Sequence, residues 1–325
     1  MAAANMYVTV AGAGNNSGDS WDNAMALSDW QTDMTSNAEA GDVYFVAAGT
    51  YTFTSNTTAA NDGTAVAPIK IIGVKSGTTA EPATVSDWAT DADRPVINHT
   101  GYSMEFDNYW YIQNLIITHD ALSGFRADIG SVFYNLKITN TSESSGRVAV
   151  TCSTGSRFIG CEIACTNGTA MNLGSYGNVV YGCYVHDSTT GIVFGDTVSV
   201  INSVIDTCTT GINLASTDRN IITNCTIYNC TTGISGTDGN SSTFANNIID
   251  ACTTGASWST EQKNNFWDYN IWDNGTDTSN VTKGGYAITS DPSMTNPDNG
   301  DFTLGGGSSA LNAGLDTSTF TEATT

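Results

Sequence analysis

Apolar and polar positions recur through the middle of the chain with a period of about 22 residues. The clearest copies read NSVIDTCTTGINL, NCTIYNCTTGISG and NNIIDACTTGASW, and they begin at Asn202, Asn224 and Asn246. Each copy contains short runs in which apolar residues alternate with polar ones. Such alternation predicts strands with one buried face. The repeat leaves no room for a crossover helix of a dozen residues.

Eight copies can be aligned when Asn224 is taken as position zero. The equivalent positions are Asn114, Asn135, Gly160, Gly182, Asn202, Asn224, Asn246 and Asp268. Two residues earlier stand Ile112, Phe133, Phe158, Val180, Val200, Ile222, Phe244 and Phe266. Three residues later stand Ile117, Ile138, Ile163, Val185, Ile205, Ile227, Ile249 and Ile271. An apolar residue at both offsets in every copy indicates one continuous core.

Short strands with tight bends bury a common face by coiling, so that equivalent residues stack about 4.8 Å apart. The sequence therefore predicts an all-β fold, a single parallel β-helix solenoid of about ten to eleven coils. Its shaft would be about 50 Å long. A leucine-rich repeat has a similar period but requires leucine where this chain has Ile, Val, Phe and Thr.

The recurrent Cys-Thr-Thr-Gly predicts ladders of identical side chains. Cys208, Cys230 and Cys252 fall in register, and we expect them to be buried, stacked and reduced. Asn202, Asn224 and Asn246 are expected to form an amide ladder at a buried turn.

The two ends of the chain differ from the repeat. A strand and a Gly/Asn loop precede a predicted amphipathic helix from about Asp19 to Ser36, with Ala24, Leu27, Trp30 and Met34 on one side. Such a helix would cover the open end of the solenoid. We divide the single domain into residues 1–40 (strand and capping helix), 41–108 (irregular first coils), 109–279 (regular coils) and 280–325 (C-terminal cap or tail).

Motifs near both ends carry a resemblance to a known superfamily. The order GDSWDNA, AGDVYFVAAGTYT and PIKIIG, with DPSMTNPDNGDFTLGGGSSALNAGLD near the C-terminus, resembles right-handed parallel β-helix proteins of the pectin-lyase-like superfamily, of the phage or bacterial surface type. The resemblance implies right-handed coiling. It does not specify function, because the superfamily includes lyases, glycosidases, phage tailspikes and non-catalytic surface proteins.

Charge narrows the range of partners. The chain of 325 residues has 10 Lys and Arg against 32 Asp and Glu, which gives a net charge of −22. We therefore expect neither nucleic acid nor an anionic membrane as a partner. The start, MAAANMYVTVAG, lacks the basic and apolar regions of a secretory signal.

Candidate chemistry lies on outward positions of the strand that follows position zero. The row four residues after it reads Thr118, Thr139, Ala164, His186, Asp206, Tyr228, Asp250 and Trp272, and the row two residues after it includes Tyr184. Rings and carboxylates on a flat sheet suit carbohydrate, so His186, Tyr228, Trp272 and Tyr184 are candidate substrate-binding residues. Asp206 and Asp250, two coils and about 9–10 Å apart, are the candidate catalytic pair, since the carboxyls of inverting glycosidases are about 6.5–9.5 Å apart.

Three interpretations of this row remain open: an ordinary solvated surface, which we favour, a sugar-binding surface, and a glycosidase site. A lyase is disfavoured because none of the five arginines lies on the row beside Asp206 or Asp250. Two acidic loops are weak candidates for calcium, although neither has EF-hand spacing. They contain Asp87, Asp91 and Asp93, and Asp291, Asp298 and Asp301.

These patterns favour a non-enzymatic structural or adhesive surface protein, most plausibly a phage virion component such as a decoration, fibre or tailspike element. The partners expected are other virion or surface proteins, a second copy of the chain, or a cell-surface glycan, and no cofactor is expected beyond calcium. Reduced cysteines suit folding in a reducing cytoplasm. The alternative is a secreted polysaccharide-degrading hydrolase or lyase acting on the Asp206/Asp250 face.

Overall fold

The structure is a computed structural model that describes residues 3–174, 176–215, 217–237, 241–260 and 264–315, apart from the side chain of Ser123. In the N-terminal half the strands are β1 (Asn5–Val8), β2 (Val43–Ala47), β3 (Thr50–Phe53), β4 (Thr57–Ala59), β5 (Ile69–Val74), β6 (Val96–His99), β7 (Met104–Phe106), β8 (Trp110–Gln113), β9 (Ile116–His119), β10 (Ser123–Ala127), β11 (Val132–Tyr134), β12 (Lys137–Asn140), β13 (Arg147–Cys152), β14 (Arg157–Ile159) and β15 (Glu162–Cys165). The later strands are β16 (Gly168–Leu173), β17 (Val179–Tyr181), β18 (Tyr184–Phe194), β19 (Ser199–Ile201), β20 (Val204–Asn213), β21 (Ile221–Thr223), β22 (Thr226–Tyr228), β23 (Thr232–Gly236), β24 (Thr243–Ala245), β25 (Ile248–Asp250), β26 (Thr254–Trp258), β27 (Phe266–Asp268), β28 (Ile271–Asp273), β29 (Thr276–Ser279), β30 (Met294–Asn296) and β31 (Asp301–Leu304).

Parallel pairing stacks all of these strands except the antiparallel pair β30 and β31 into three ladders, which confirms the right-handed parallel β-helix. The first ladder contains the strands before position zero and runs β1-β2-β5-β8-β11-β14-β17-β19-β21-β24-β27. The second ladder contains the strands after position zero, from β3 through β12 and β22 to β28. The third ladder runs from β4 through β13 and β23 to β29, and the long strands β18 and β20 belong to both the second and the third.

The first ladder has eleven strands, and its last eight, β8 to β27, belong to the regular repeat. The solenoid therefore has about eight regular turns, slightly fewer than the ten to eleven coils predicted. The difference arises at the N-terminus, where the windings before β8 carry long insertions and do not follow the 22-residue period.

Stacked apolar side chains fill the interior, as the periodicity predicts. Phe133 and Phe158 stack with ring centroids 4.7 Å apart, and both are fully buried. The last copy of the repeat is one residue longer than predicted. Phe244 pairs with Trp267 instead of Phe266, and Ile249 pairs with Trp272 instead of Ile271. Position zero of that copy is therefore Tyr269 and not Asp268.

Position zero is a left-handed turn and not a buried amide ladder. Asn202, Asn224 and Asn246 have φ of 51°, 56° and 58°, and the first two side chains are exposed. Gly160 and Gly182 occupy the same position at φ of 61° and 62°. Asparagine and glycine are the residues that tolerate this conformation best, so the backbone selects them. The predicted amide ladder at these positions is wrong.

A buried polar ladder lies one residue later. Asn247 accepts a hydrogen bond from the backbone N–H of Cys225 at 2.9 Å, and Asn270 accepts one from the backbone N–H of Asn247 at 2.9 Å. The amide of Asn247 also donates to the carbonyl of Ile222 at 2.9 Å. Each side chain thus satisfies backbone groups of the preceding coil inside the core.

Cysteines line the next corner, as predicted. Cys208, Cys230 and Cys252 are buried and free of disulfides. Each thiol donates to the carbonyl two residues earlier, at 3.3 Å for Cys208 and Cys230 and 3.5 Å for Cys252. Hydrogen bonds with the Cys230 thiol, together with burial, raise the pKa of the Cys208 and Cys252 thiols, so these two pack as small protonated groups.

The N-terminal end is capped by α1, which spans Leu27–Ser36 and is shorter than the predicted helix from Asp19. Met25 and Ala26 form bridges with Val8 and Ala11, so the chain is still extended there. Trp30 and Met34 are fully buried, with Trp30 5.7 Å from Tyr51 and 5.8 Å from Phe53 between ring centroids. Short 3-10 helices span Trp21–Asn23, Val85–Asp87 and Pro297–Asn299. No helix among the described residues is long and apolar enough to cross a membrane.

We expect Asn247→Ala to lower the free energy of unfolding by about 1–3 kcal/mol, because it leaves the backbone N–H of Cys225 buried without an acceptor. Asn224→Gly, at the neighbouring left-handed position, should change it by less than about 0.5 kcal/mol. Denaturant unfolding followed by circular dichroism measures both. Equal losses for the two variants would contradict the assignment of the buried ladder.

Candidate functional site on the second ladder

Strand pairing places the predicted candidates on the outward face of the second ladder. His186 pairs with Asp206, Asp206 with Tyr228, and Tyr228 with Asp250. Trp272 is not part of this row, because Asp250 pairs with Asp273 and the Trp272 side chain is 1% exposed. The additional residue in the last repeat turns Trp272 into the core, so its predicted role as an exposed sugar-binding ring is wrong.

The chain's own C-terminal segment, residues 289–315, covers part of this row. The Tyr228 hydroxyl donates to Asp298 Oδ1 at 2.6 Å, and the Phe302 ring lies 5.7 Å from that of Tyr228. Farther along, the backbone N–H of Leu315 donates to Asn246 Oδ1 at 2.7 Å. Tyr228 is consequently only 7% exposed, and its neighbour Asp206 is 8% exposed.

The Asp206/Asp250 pair is therefore not an open pair of carboxyls. Asp206 accepts hydrogen bonds from Tyr184 at 2.9 Å and from Thr207 at 2.7 Å. A sugar bridging Asp206 and Asp250 would have to pass over Tyr228, where the C-terminal segment already binds. This arrangement disfavours hydrolysis between the two carboxyls.

An open groove lies at the other end of the row. Its cavity has a volume of about 550 Å³ and is lined by residues of the second ladder, including Lys137, Glu162 and Tyr184, and by Asp91 and Arg94 from the loop before β6. Lys137 Nζ lies 2.6 Å from Glu162 Oε1, and this pair is partly exposed. Arg94 is held by Asp91 at 2.7 Å. We call this cavity the polar groove.

His186 borders the polar groove between two carboxylates. Its Nδ1 lies 2.8 Å from Asp187 Oδ2, and its Nε2 lies 3.4 Å from Glu162 Oε1. The Tyr184 ring stacks on the imidazole with centroids 4.2 Å apart. Tyr184, through its bond to Asp206, thus links the groove to the covered part of the row.

These contacts shift the ionisation of the groove residues. The hydrogen bond with His186 and the bond and charge of Lys137 lower the pKa of Glu162 to about 2, although burial opposes them. Burial alone would lower the pKa of His186, but Glu162 and Asp187 more than compensate and raise it. Burial and the bond to Asp206 raise the pKa of Tyr184. The groove at neutral pH holds an ionised Glu162 and a neutral Tyr184.

Sequence reasoning did not assign Lys137, Glu162 and Arg94 to the site. Lys137 and Glu162 lie on the row two residues after position zero, in register with Tyr184. The repeat alignment could therefore have shown that these three side chains are neighbours. Arg94 reaches the groove from an irregular loop, where no repeat predicts its place.

The acidic loops proposed for calcium use their carboxylates locally. Asp87 caps the helix that begins after Thr84, and Asp91 pairs with Arg94. Asp291 and Asp301 accept backbone N–H bonds from residues two positions later. Asp298 binds Tyr228, and Asp93 belongs to the loop around Arg94. Within the described ranges, no group of three or more His, Cys, Asp or Glu could hold a metal ion.

Comparison with known proteins adds a family. Residues 109–305, about three fifths of the chain, match the NosD family, described as periplasmic copper-binding protein (NosD). The chain belongs to the NosD family. No curated protein matches the sequence.

Solved structures similar to this NosD-family chain share its fold. The crystal structure of pectate lyase Pel9A aligns with a TM-score of 0.66 at 15% identity, over 98% of this chain and 93% of that chain. An alginate lyase from Paenibacillus sp. str. FPU-7 aligns with a TM-score of 0.56 at 17% identity, over 88% and 99%. A rhamnogalacturonan lyase aligns with a TM-score of 0.55 at 11% identity, over 90% of both chains. At these identities the likeness establishes the fold alone.

Asp250, at the covered end of the row, should make the free energy of unfolding depend on pH. Burial and the charge of Asp273 raise the pKa of Asp250 to about 6. A carboxyl with a raised folded-state pKa disfavours folding when ionised, so its unfavourable effect is absent below pH about 4 and complete above pH about 6. Asp250→Asn should therefore stabilise the protein at pH 8, by about 1–2 kcal/mol after allowance for partial exposure, and have little effect at pH 4.

Thermal unfolding at pH 4 and pH 8 measures this difference. Asp29→Asn removes the same charge from the first turn of α1, where an ionised carboxylate is favourable, so this control should not stabilise the protein at pH 8. Equal effects of Asp250→Asn at both pH values would contradict the assignment.

Proposed function

We propose that this chain is a non-enzymatic, glycan-binding surface protein, part of a virion or of an extracellular surface, that binds carbohydrate in the polar groove. The open cavity beside Tyr184 is the observation on which the proposal rests. A ladder with regular spacing offers an extended polymer one contact at each successive coil.

The chemistry of the polar groove suits sugar hydroxyls. Lys137 donates hydrogen bonds, Glu162 accepts them, and Tyr184 supplies a ring beside them, while Arg94 is bonded to Asp91 and to the carbonyl of Asn135 at the edge of the groove. A mixture of donors, acceptors and an aromatic ring is typical of sites that bind carbohydrate. Lys137 and Arg94 are paired with Glu162 and Asp91, so these four residues add no net charge to the groove, unlike most of a surface with net charge −22.

Two features favour binding over catalysis. The C-terminal segment binds Tyr228 between Asp206 and Asp250, which disfavours a sugar bridging the two carboxyls. In the groove, the low pKa of Glu162 keeps it ionised and unable to donate a proton near neutral pH. The raised pKa of Tyr184 likewise makes a phenolate base unfavourable.

A polysaccharide-degrading enzyme is the second candidate, and His186 is the observation that favours it. Its imidazole, stacked on Tyr184, lies between Glu162 and Asp187, which raise its pKa. A half-buried histidine beside a sugar-sized groove is a candidate for proton transfer. In this alternative the centre would be His186 and Tyr184, and not Asp206 and Asp250.

The residues of this chain do not fit the copper named in the family description. Copper binds imidazole and soft sulfur ligands. His99 and His119 are buried in the core, where His99 stacks on Phe53. Burial raises the pKa of the Cys165 and Cys225 thiols to about 11 and 12, which disfavours thiolate ligands at these two positions. The described residues also lack a three-ligand cluster, so we derive no copper chemistry.

Glycan-array binding tests the proposal. Tyr184→Ala should weaken binding about threefold to tenfold, the value of one ring contact. Tyr228→Ala should leave binding unchanged, because Tyr228 is under the C-terminal segment and is the matched control on the same row. Absence of binding to acidic and neutral polysaccharides, or equal losses in the two variants, would reject the polar groove as the site.

Turnover assays distinguish the two candidates. We expect neither new reducing ends nor unsaturated products from a panel of polysaccharides, with or without calcium. Turnover abolished by both His186→Ala and Tyr184→Phe would establish the enzyme instead.

A further inference from the structure

The outward face of the first ladder carries an exposed strip of apolar side chains. On β11, β14, β17 and β19, six of the eight outward positions are apolar, and we call these six the apolar stripe. They are Val132, Tyr134, Ile159, Val179, Tyr181 and Ile201. Tyr134 and Tyr181 are 41% and 45% exposed, and Ile221 on β21 continues the strip at 41%.

The fold itself does not require an apolar surface here. On the third ladder, the equivalent outward row is a run of threonines: Thr169, Thr190, Thr210, Thr232 and Thr254. Threonine is a good strand former that also hydrates well, so it satisfies a solvent-facing ladder. The contrast between the two faces indicates that the apolar stripe has a partner.

The chain covers the same face itself at its N-terminal end. In the row that contains Tyr134, the earlier members Tyr7, Phe45 and Ile72 are buried in a second apolar cluster. Residues from two loops, including Trp21 and Trp88, pack on them. The buried Gln113 separates this cluster from Tyr134, and beyond it the apolar stripe continues the row without a cover from the described part of the chain.

We propose that the apolar stripe is the interface through which two copies of this chain associate, face to face. The strands of both copies repeat every 4.8 Å or so, so ridges of one stripe match the grooves of the other in register. Charge favours the same surface. Arg157 is the one charged residue among the eight outward positions, so contact here places no carboxylates directly against each other, although both chains carry a net charge of −22.

A glycan is a poorer occupant than a second copy. Four of the six side chains are aliphatic, and aliphatic groups neither stack on sugar rings as aromatic ones do nor bind hydroxyls. The area of the apolar stripe limits how tightly two copies can associate. Four to eight strands about 10 Å wide and about 4.8 Å apart present a flat area of about 200–400 Å² per copy, below the roughly 800 Å² of a standard interface. We therefore expect a weak, reversible dimer.

Sedimentation velocity over a series of chain concentrations tests the proposal. The wild-type chain should show a concentration-dependent dimer, and added salt should strengthen it, because salt screens the repulsion between the acidic chains. Tyr181→Glu should raise the dissociation constant at least about tenfold, because it buries an unpaired charge. Thr210→Glu on the third ladder adds the same charge to the opposite surface and should leave the dimer unchanged.

Melting curves show whether each variant is folded. If Tyr181→Glu does not fold, Tyr181→Ser, which adds no charge, replaces it in the test. A wild-type chain that stays monomeric at every concentration and salt level overturns the proposal. A dimer equally affected by Tyr181→Glu and Thr210→Glu, or by neither, also overturns it. A monomer that binds glycan through Tyr181 would assign the stripe to carbohydrate instead. None of these outcomes depends on the polar groove.

Discussion

The structure depends on how each coil satisfies the backbone of its neighbour at the corners. A strand ladder pairs its own N–H and C=O groups, but a bend turns such groups into the core, where an unmatched one costs about 1–3 kcal/mol. Here a side chain of the next coil supplies the partner, as Asn247 does for Cys225, Asn178 for Ser156 and Asn220 for Val198. Because the partner must lie one coil later, it holds equivalent residues in register. The need for a partner one coil later therefore helps to maintain the 22-residue period of the sequence.

The corners leave the outward faces free to differ, and the three ladders differ strongly. The third is covered with threonine, the second combines a polar groove with a row covered by the C-terminal segment, and the first is apolar. Fold and function are thus specified by different residues of the same short strands. This separation explains why likeness to three lyases establishes the coil but not the chemistry on its surface.

The 22-residue period predicted the interior well, because core positions must be apolar in every coil, and this recurrence is visible in the sequence. The stacking of Phe133 on Phe158 and the burial of Cys208, Cys230 and Cys252 follow from spacing alone. Prediction was wrong where one residue changed the spacing, as when an added position turned Trp272 inward. Asn224 was misread because asparagine serves both buried ladders and left-handed turns. The cover over Asp206 was not predictable from the repeat, since the C-terminal segment lies outside it.

The C-terminal segment also constrains the order in which the molecule is built. Contacts within the coils join residues about one repeat apart, as the 22-residue separation of Cys225 and Asn247 shows, so coils can add one after another. The contacts of the segment join residues 70 and 69 positions apart, Tyr228 with Asp298 and Asn246 with Leu315. Loop closure over that distance is slower, and its target exists only once several coils are in place. We therefore expect the segment to dock late in folding, after the coils that it contacts have formed.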